Sequence, residues 1–479
     1  MKTVVVGPFN RVEGDLEVSL DVDGGKVAAA RVSSPLFRGF EQILSGKAPE
    51  DALVLVPRIC GICSVAQSSA AAAALADAAG ATPPPNGLLA SNLALAAENI
   101  ADHLTHFYLF FMPDLAREAY AGRPWHAALR ERFRARTGAA VADVLAAREA
   151  FLRIMGVLAG KWPHTLALQA GGTTRAVTPA EKLQLRMILS GFRAFLERTV
   201  LGGPLEAVSA LGSAEALRAF AAERPEGDLA RFLAAADDLG LERLGASGGA
   251  LMSYGAYALG GGAHLFRRGV LLPGTAVAAP LEPAEIVEDV SHAWMADDAP
   301  RHPFDGATRP VAEKTGAYTW CKAPRLGGRV AEVGALARQA VDGHPLARDL
   351  VARGAGVTAR VVARLLELAR VVPEMERWAA ALEPGGPYFS AAPIPDDAEG
   401  AGLVEAARGS LGHWLTVRGG RIKGYQLVAP TTWNFSPRDA EDRPGALEAA
   451  LVGVPAGEGD VAVQHVVRSF DPCMVCTVH

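Results

Sequence analysis

The start of the chain alternates between apolar and polar positions, which is the pattern of half-buried β-strands. Apolar side chains recur at every second position over 4–6 and 16–22. The second run leads into Gly24-Gly25, a glycine pair of the kind that closes a two-residue hairpin. Gly419-Gly420 has the same setting within 411–430. We therefore predict antiparallel strand pairs near both ends of the chain.

Helical patterns fill most of the chain between these two regions. Good helix formers run from 50 to 79, and a proline-rich breaker at 82–87 separates them from a long helix expected to start near Leu88. In that helix six apolar residues have the spacing of a buried stripe: Leu93, Ala96, Ala97, Ile100, Leu104 and Phe107. Further helices are predicted near 140–160, 179–200, 213–238, 330–354 and 357–383. The predicted fold class is α+β, mainly α, a central helical bundle with peripheral antiparallel strands.

Composition narrows the class of protein. With 47 Lys and Arg against 52 Asp and Glu, the net charge of −5 gives no basic surface for nucleic acid. No stretch has the 18 or more uninterrupted apolar residues of a membrane span, and the first residues are too short a run for a signal peptide. We expect a cytoplasmic protein. Length alone suggests about three domains, but no composition shift marks a boundary, so we predict one domain over 1–479.

Five cysteines are too few for a disulfide scaffold in a chain of 479 residues. Four form two CxxC pairs, Cys60/Cys63 and Cys473/Cys476, and Cys321 stands alone. The pairs lie 410 positions apart, whereas zinc ribbons place theirs about 15–20 residues apart. The spacing leaves three interpretations open: a structural zinc or iron site, a catalytic site for a soft transition metal, and two unrelated pairs. A single site would join the N- and C-terminal segments.

The cysteines lie in two longer motifs, Arg58-Ile59-Cys60-Gly61-Ile62-Cys63 and Asp471-Pro472-Cys473-Met474-Val475-Cys476-Thr477-Val478-His479. These resemble the two signature motifs of the nickel–iron hydrogenase large subunit. Five other segments agree with that family and follow its order: 11–14, 36–41, 318–325, 405–414 and 425–434.

In that family four cysteines hold nickel, and two of them also bridge to an iron that carries two cyanides and one carbon monoxide. The resemblance implies that Cys60 and Cys473 are terminal nickel ligands and that Cys63 and Cys476 bridge to iron. It also implies an enzyme that splits H2 heterolytically, because thiolates stabilise nickel through its redox changes.

Four more residues match family positions around the metals. Glu13 matches the glutamate beside Cys473 and is the expected first proton relay. Arg408 matches the arginine above the metals, where a fixed cation polarises bound hydrogen. Asp102 and Asp471 match the carboxylates that position it. Asp102 also shares one helical face with His106 and Phe110 by spacing.

A second metal ion is implied near the C-terminus. Glu41 and the terminal His479 match the ligands of a divalent ion in the family, usually taken as magnesium. A carboxylate suits that hard cation, and water or backbone oxygen would complete its coordination.

Two departures from the common family pattern indicate the hydrogen-sensing, regulatory type. The position four residues after Cys63 is usually histidine and is Gln67 here. Glutamine can hydrogen-bond a cysteine sulfur but carries no proton charge. Many family members are made with an extension after the terminal histidine, whereas this chain ends at His479. Sensing members end in the same way, and so does the mature chain of a member whose extension has been removed.

Two bulky side chains match positions that control the passage of small gases to the metal site in the family. Ile62 and Phe110 match positions at the inner end of the family's gas channel that are commonly valine and leucine. A narrower apolar channel restricts oxygen, so we expect an oxygen-tolerant site.

One thiolate site with no spare cysteines cannot carry electrons away. We therefore expect an iron–sulfur small subunit, in a heterodimer or a dimer of heterodimers, and for a sensor a histidine kinase as signalling partner. The alternative is the mature large subunit of an energy-conserving uptake hydrogenase. Two other classes are a non-catalytic scaffold with zinc on its CxxC pairs and a thiol–disulfide oxidoreductase, for which one pair would suffice.

Overall fold

The structure of the protein, a computed structural model, describes residues 2–457 and 461–477. The helices are α1 (Phe40–Leu44), α2 (Ala52–Leu55), α3 (Ser64–Ala79), α4 (Pro85–Thr105), α5 (His126–Phe133), α6 (Ala139–Ala159), α7 (Pro179–Phe195), α8 (Leu205–Ser209), α9 (Ala214–Ala222), α10 (Asp228–Asp238), α11 (Ala335–Asp342), α12 (Pro345–Ala352), α13 (Val357–Ala381), α14 (Pro430–Asn434), α15 (Ala446–Leu451) and α16 (Val461–Ser469). The strands are β1 (Lys2–Val6), β2 (Glu17–Asp23), β3 (Lys26–Ser33), β4 (Leu168–Gln169), β5 (Gly172–Thr173), β6 (Ala250–Ser253), β7 (Ala256–Gly260), β8 (Ala263–Phe266), β9 (Gly269–Leu271), β10 (Ile286–Asp289), β11 (Ala323–Leu326), β12 (Ala331–Glu332), β13 (Ala398–Ala406), β14 (Gly409–Arg418) and β15 (Arg421–Val428).

The two strand regions form three-stranded antiparallel sheets, β1-β2-β3 and β13-β14-β15. In the first hairpin Asp23 pairs with Lys26 across Gly24-Gly25, whose φ angles are 54° and 76°. Gly419-Gly420 closes the second hairpin with φ angles of 56° and 70°. Positive φ at both turn positions is the geometry that glycine adopts without strain. Both predicted hairpins are confirmed.

Two long helices, α4 and α13, pack together in the main hydrophobic core. The predicted stripe on α4 is buried, but so are Glu98, Asn99 and Asp102 from other faces of the helix. A helix that is buried around most of its circumference lies inside a large core rather than on its surface. The predicted α+β class with a central helical bundle is confirmed.

The helix predicted over 50–79 is interrupted where the first cysteine pair lies. After α2 the chain forms a 3₁₀ turn (Val56–Ile59), and Cys60 is extended with φ −149° before α3 starts at Ser64. Pro57 removes a backbone donor and Gly61 weakens helix propensity, so this segment forms a loop. The loop presents both cysteines.

Two other predicted helices are each split in two. The stretch 213–238 forms α9 and α10, with Pro225 and Gly227 between them. The stretch 330–354 begins with β12 and continues as α11 and α12, separated at Gly343, whose φ is 89°. Proline and left-handed glycine end helices for local steric reasons that apolar periodicity does not reveal.

Strand β13 lies directly against helix α3 through two glycines. A Cβ atom at Gly400 would lie 2.1 Å from the carbonyl oxygen of Ala74, and one at Gly402 would lie 1.9 Å from that of Ala70. Only glycine permits this backbone approach. The contact fixes β13, and with it the turn at its end, against the helix that follows the first cysteine pair.

The two ends of the chain are joined by backbone pairing. Val27 in β3 donates to the carbonyl of Val454 (2.9 Å) and accepts from Gly453 (2.8 Å). Ser34 and Thr477 share a hydroxyl hydrogen bond of 2.8 Å. Among the described residues no helix combines the length and apolar character needed to cross a membrane.

Candidate metal centre

The four cysteines of the CxxC pairs meet at one point in the core. The Sγ atoms lie within 4.8 Å of one another, with separations of 3.5 Å for Cys60–Cys473, 3.3 Å for Cys63–Cys476 and 3.1 Å for Cys473–Cys476. All four are free thiols and buried. Four converging sulfurs form a donor set for a soft metal ion, so the residues fit a nickel-containing centre.

The close packing of the four thiols also favours cation binding electrostatically. Hydrogen bonds with the neighbouring thiols lower the pKa of Cys60. The same contacts, together with burial, raise the pKa values of Cys63 and Cys473 well above the usual range. Four buried thiolates repel one another, and a bound cation supplies the positive charge that lets them ionise together.

The first cysteine pair is held from two directions. Cys63 is the N-terminal cap residue of α3, and Glu98 on α4 accepts hydrogen bonds from the backbone N–H groups of Val65 and Ala66 (both 2.9 Å). A carboxylate at this place satisfies the unpaired N–H groups at the helix start. Arg38 donates to the carbonyl of Ile59 at 2.6 Å and also to that of Val475, so one side chain ties both cysteine motifs together.

The second pair is held by the N-terminal segment. The backbone of Glu13 pairs in parallel with Cys473, donating to Pro472 (3.4 Å) and accepting from Met474 (2.7 Å). Gly14 has φ 79°, and a Cβ there would lie 2.9 Å from the Val475 nitrogen. The Glu13-Gly14 sequence therefore combines a carboxylate with the close approach that brings it beside the metal-binding tail.

The Glu13 carboxyl lies at the border between the site and the surface, because its side chain is partly exposed. Burial raises its pKa, the negative charge of Cys60 adds to that effect, and Arg408 and Arg38 oppose it. A carboxyl group whose pKa is shifted towards neutrality exchanges a proton more readily at neutral pH.

Arg408 lies in the turn between β13 and β14 and is buried between two carboxylates. Its Nη1 is 2.8 Å from Asp102 Oδ2, and its Nη2 is 3.1 Å from Asp471 Oδ1. Its Nε donates to the backbone carbonyl of Asp471 at 3.0 Å. Asp471 has φ 58°, a left-handed conformation rare for residues other than glycine. Nη2 also donates to Asp102 Oδ1 at 3.3 Å, so the guanidinium is held by hydrogen bonds at Nε and Nη2 and by an ion-pair contact at Nη1.

The pKa values of Asp102 and Asp471 shift in opposite directions. Burial raises the pKa of Asp102 to about 7, with Arg408 opposing the rise. Burial also acts on Asp471, but Arg408 outweighs it and the pKa of Asp471 is lowered. Together the two carboxylates raise the pKa of Arg408 well above its usual value against the effect of burial. The site thus holds one permanent cation beside the thiols.

Gln67, in the first turn of α3, does not bond to a cysteine sulfur through its oxygen. His413 Nε2 donates to Gln67 Oε1 at 2.9 Å, and the Tyr425 hydroxyl donates to His413 Nδ1 at 2.9 Å. Gln67 is buried. The three side chains form a chain of hydrogen bonds that leads from β15 to the helix of the first cysteine pair.

The proposed gas-channel residues lie at the margin of the core. Ile62 is partly buried against it, between the two cysteines of its motif. Phe110 is partly buried in a π-helical turn (His106–Phe111) that follows α4, and its carbonyl accepts from Arg11 at 3.0 Å. The face expected for Asp102, His106 and Phe110 is therefore not continuous α-helix. Asp102 reaches Arg408, whereas His106 Nε2 is 2.6 Å from the Arg468 carbonyl.

Glu41 is buried beside Lys322, with its Oε2 3.1 Å from Nζ. Lys322 also contacts Glu288 (3.2 Å) and Gln426 (2.6 Å). Burial raises the pKa of Glu288 to about 7, opposed by Lys322. The predicted second ligand, His479, lies outside the described residues. The two buried carboxyl groups and the lysine form one ion-paired cluster.

Two residues that hold the site were missed from the sequence. Arg38 lies in a segment that matches the family, yet nothing in the pattern shows that it joins both cysteine motifs. Glu98 lies on the predicted helix as an ordinary polar residue. Burial raises its pKa to about 8, opposed by its backbone hydrogen bonds. Glu98 lies directly after Ala97, within the predicted buried stripe of Ala96, Ala97 and Ile100, and that placement is the signal that could have drawn attention to it.

Comparison with known proteins agrees with this geometry. A sequence model of the family described as nickel-dependent hydrogenase matches residues 38–115 and 139–479. The chain is 29% identical to the periplasmic [NiFeSe] hydrogenase large subunit of Desulfomicrobium baculatum, over 99% of this chain and 94% of that protein. It is 27% identical to the uptake hydrogenase large subunit of Azotobacter chroococcum mcd 1, over 100% and 95%. The reduced Ni-Fe-Se hydrogenase of D. vulgaris Hildenborough superposes with a TM-score of 0.85 at 30% identity, covering 100% of both chains.

The cysteine cluster makes a direct prediction about metal content. We expect Cys473→Ser to lose most of its nickel, because a hydroxyl is a poor ligand for a soft metal. Cys321→Ser is the matched control, since Cys321 is equally buried but lies outside the cluster. Elemental analysis of the purified proteins measures the nickel, iron and zinc per chain. Stoichiometric zinc without nickel in the unmodified protein, or unchanged nickel in Cys473→Ser, would contradict the assignment.

Proposed function

The chain belongs to the nickel-dependent hydrogenases, and within that family we propose that it is the catalytic large subunit of a hydrogen-sensing nickel–iron hydrogenase. The observation that carries the catalytic part is the cluster of four buried thiols beside the clamped Arg408. The sensing part is carried by Gln67 at the position next to the first cysteine pair.

The reaction converts H2 into two protons and two electrons. The nickel–iron centre, with two cyanides and one carbon monoxide on its iron, supplies the redox chemistry. Arg408 contributes a fixed positive charge that polarises H2 at the site, and Asp102 and Asp471 keep that charge in place. Glu13 receives protons beside Cys473 and releases them towards the surface, because its carboxyl is partly exposed.

Electrons leave through a second protein. We propose an iron–sulfur small subunit, which the name "large subunit" carried by both curated relatives supports. The complex would be a heterodimer or a dimer of heterodimers.

Sensing requires slow turnover and a signalling partner, which we propose to be a histidine kinase in the cytoplasm. Gln67 supports this role because an amide replaces a titratable imidazole beside the cysteines and is itself bonded to His413. The second candidate is an energy-conserving uptake hydrogenase. It is favoured by the likeness to the uptake large subunit of A. chroococcum mcd 1.

A divalent ion, magnesium by its ligand chemistry, is proposed at Glu41 with His479 as the second protein ligand. Glu41 supports it because it is a buried carboxyl group, an oxygen donor of the kind that magnesium prefers. Since Ser34 bonds both Thr477 and the Thr319 hydroxyl in the segment that carries Lys322, this region also anchors the metal-binding tail.

The proton role of Glu13 predicts a large effect from a small change. Glu13→Gln keeps the size of the side chain and its ability to form hydrogen bonds, but an amide cannot take up and release a proton as a carboxyl group does. We therefore expect the rate of H2 oxidation by the heterodimer to fall about 100-fold or more. Glu17→Gln changes an exposed carboxyl on β2 and is the control. An unchanged rate in Glu13→Gln at equal nickel content would refute the relay.

The gas-channel proposal predicts altered oxygen tolerance. Ile62→Val with Phe110→Leu widens the channel, and we expect the fraction of H2-oxidising activity that survives oxygen exposure to fall severalfold. Ile154→Val with Phe133→Leu removes the same groups from buried positions elsewhere in the core. Equal loss of activity in both double variants, or none in the first, would contradict the channel role.

The sensing role is tested with the purified heterodimer and its kinase. We expect turnover below the enzyme median of about 10 per second, together with a change in kinase autophosphorylation when H2 is admitted. Fast turnover with no response of the kinase would favour the uptake role instead.

A further inference from the structure

Arg338, on α11, is the most completely bonded side chain near the metal centre. It is fully buried, and its five N–H groups each donate one hydrogen bond. Nε and Nη2 reach the two oxygens of Glu367 at 2.8 and 2.9 Å. Nη1 reaches Glu405 Oε2 at 2.8 Å. The remaining two N–H groups donate to the backbone carbonyls of Ala406 (2.8 Å) and Ala407 (3.0 Å).

These two carbonyls belong to the turn that carries Arg408. The turn joins the end of β13 at Ala406 to the start of β14 at Gly409. Gly409 has φ 129°, and a Cβ there would lie 2.6 Å from the nitrogen of Gly334, the residue before α11. The turn thus lies directly against the start of the helix that supplies Arg338.

The opposite edge of the same turn is fixed through Glu405. Its Oε1 accepts from the backbone N–H of Tyr254 at 2.8 Å and from the Ser410 hydroxyl at 2.5 Å, while its carbonyl accepts from Asn99 at 3.1 Å. The 406–409 turn is therefore held through Glu405 on this side as well.

The chemistry of this contact requires arginine. Lysine has three donors on one nitrogen and cannot span Glu367, Glu405 and two carbonyls at once. A buried charge network of this kind contributes little net stability compared with well-packed apolar residues of the same volume. What it supplies is geometry, because two of the five bonds hold carbonyls of the turn, a third holds Glu405 at its edge, and the two to Glu367 orient the guanidinium.

We propose that Arg338 is a positioning residue, which holds the 406–409 turn so that the guanidinium of Arg408 stays between Asp102 and Asp471. Arg408 is then fixed at both ends: its side chain by the two aspartates and its backbone by Arg338. The inference rests on the proposed role of Arg408 in hydrogen cleavage. It assigns part of that role to a residue on another helix that touches neither the thiols nor hydrogen.

The test compares Arg338→Lys with Arg325→Lys in the nickel-loaded heterodimer. Arg325 is also buried and forked, with bonds to Asp439 (2.7 Å) and to the carbonyls of Pro437 and Arg443, but it holds a different loop. We expect Arg338→Lys to lower the rate of H2/D2 exchange about 10- to 100-fold at equal nickel content. Arg325→Lys should not. The electron paramagnetic resonance g-values of nickel should shift in Arg338→Lys in the same direction as in Arg408→Lys.

A double-mutant cycle shows whether Arg338 acts through Arg408. If it does, Arg408→Lys lowers the exchange rate and adding Arg338→Lys lowers it no further. Additive losses, or unchanged g-values in Arg338→Lys, overturn the inference while leaving the role of Arg408 intact. If Arg408→Lys alone has no effect, the proposed role of Arg408 fails instead. If Arg338→Lys does not fold, Arg338→Gln with Glu367→Gln, which removes one positive and one negative charge together, takes its place in the same cycle.

Discussion

The rest of the structure depends on bringing four thiols from opposite ends of the chain within 4.8 Å of one another. Holding ends this far apart in sequence costs loop-closure entropy, and packing four acidic sulfurs costs electrostatic energy. Backbone pairing between the N-terminal strands and the tail offsets the loop-closure entropy. A bound cation offsets the repulsion among the ionised sulfurs. The metal is therefore expected to enter a nearly complete fold, whose ends are already paired around its site.

Two buried arginines near this site are each paired with two carboxylates. Asp102 and Asp471 compensate Arg408, and Glu367 and Glu405 compensate Arg338. Each cation is matched by two carboxylates, so neither guanidinium is an unpaired buried charge. The result is a rigid positive group beside the thiols rather than a mobile one. Such preorganisation is what electrostatic catalysis requires, because the charge need not move when the substrate reacts.

Local features were predictable where a local rule decides the structure. Gly24-Gly25 and Gly419-Gly420 fix two hairpins by backbone sterics alone, and the CxxC spacing identifies the ligands of one site. The break between α2 and α3 and the division at Gly343 were missed, because the apolar pattern continues across them. The roles of Arg38, Glu98 and Arg338 were missed for another reason. Their partners include backbone groups distant in sequence, carbonyls for Arg38 and Arg338 and N–H groups for Glu98, and a backbone group that forms a hydrogen bond leaves no trace in the sequence.

The hydrogen-bonded side chains of Gln67, His413 and Tyr425 bear on the proposed hydrogen-sensing role. An amide oxygen only accepts hydrogen bonds, so His413 Nε2 carries the proton in its bond to Gln67 Oε1, and a neutral His413 ring then accepts from the Tyr425 hydroxyl at Nδ1. An imidazole at position 67 could accept the bond from His413 only while neutral. With glutamine, the acceptor at position 67 does not titrate. The substitution therefore removes a titratable group beside the first cysteine pair and fixes the polarity of that side of the site.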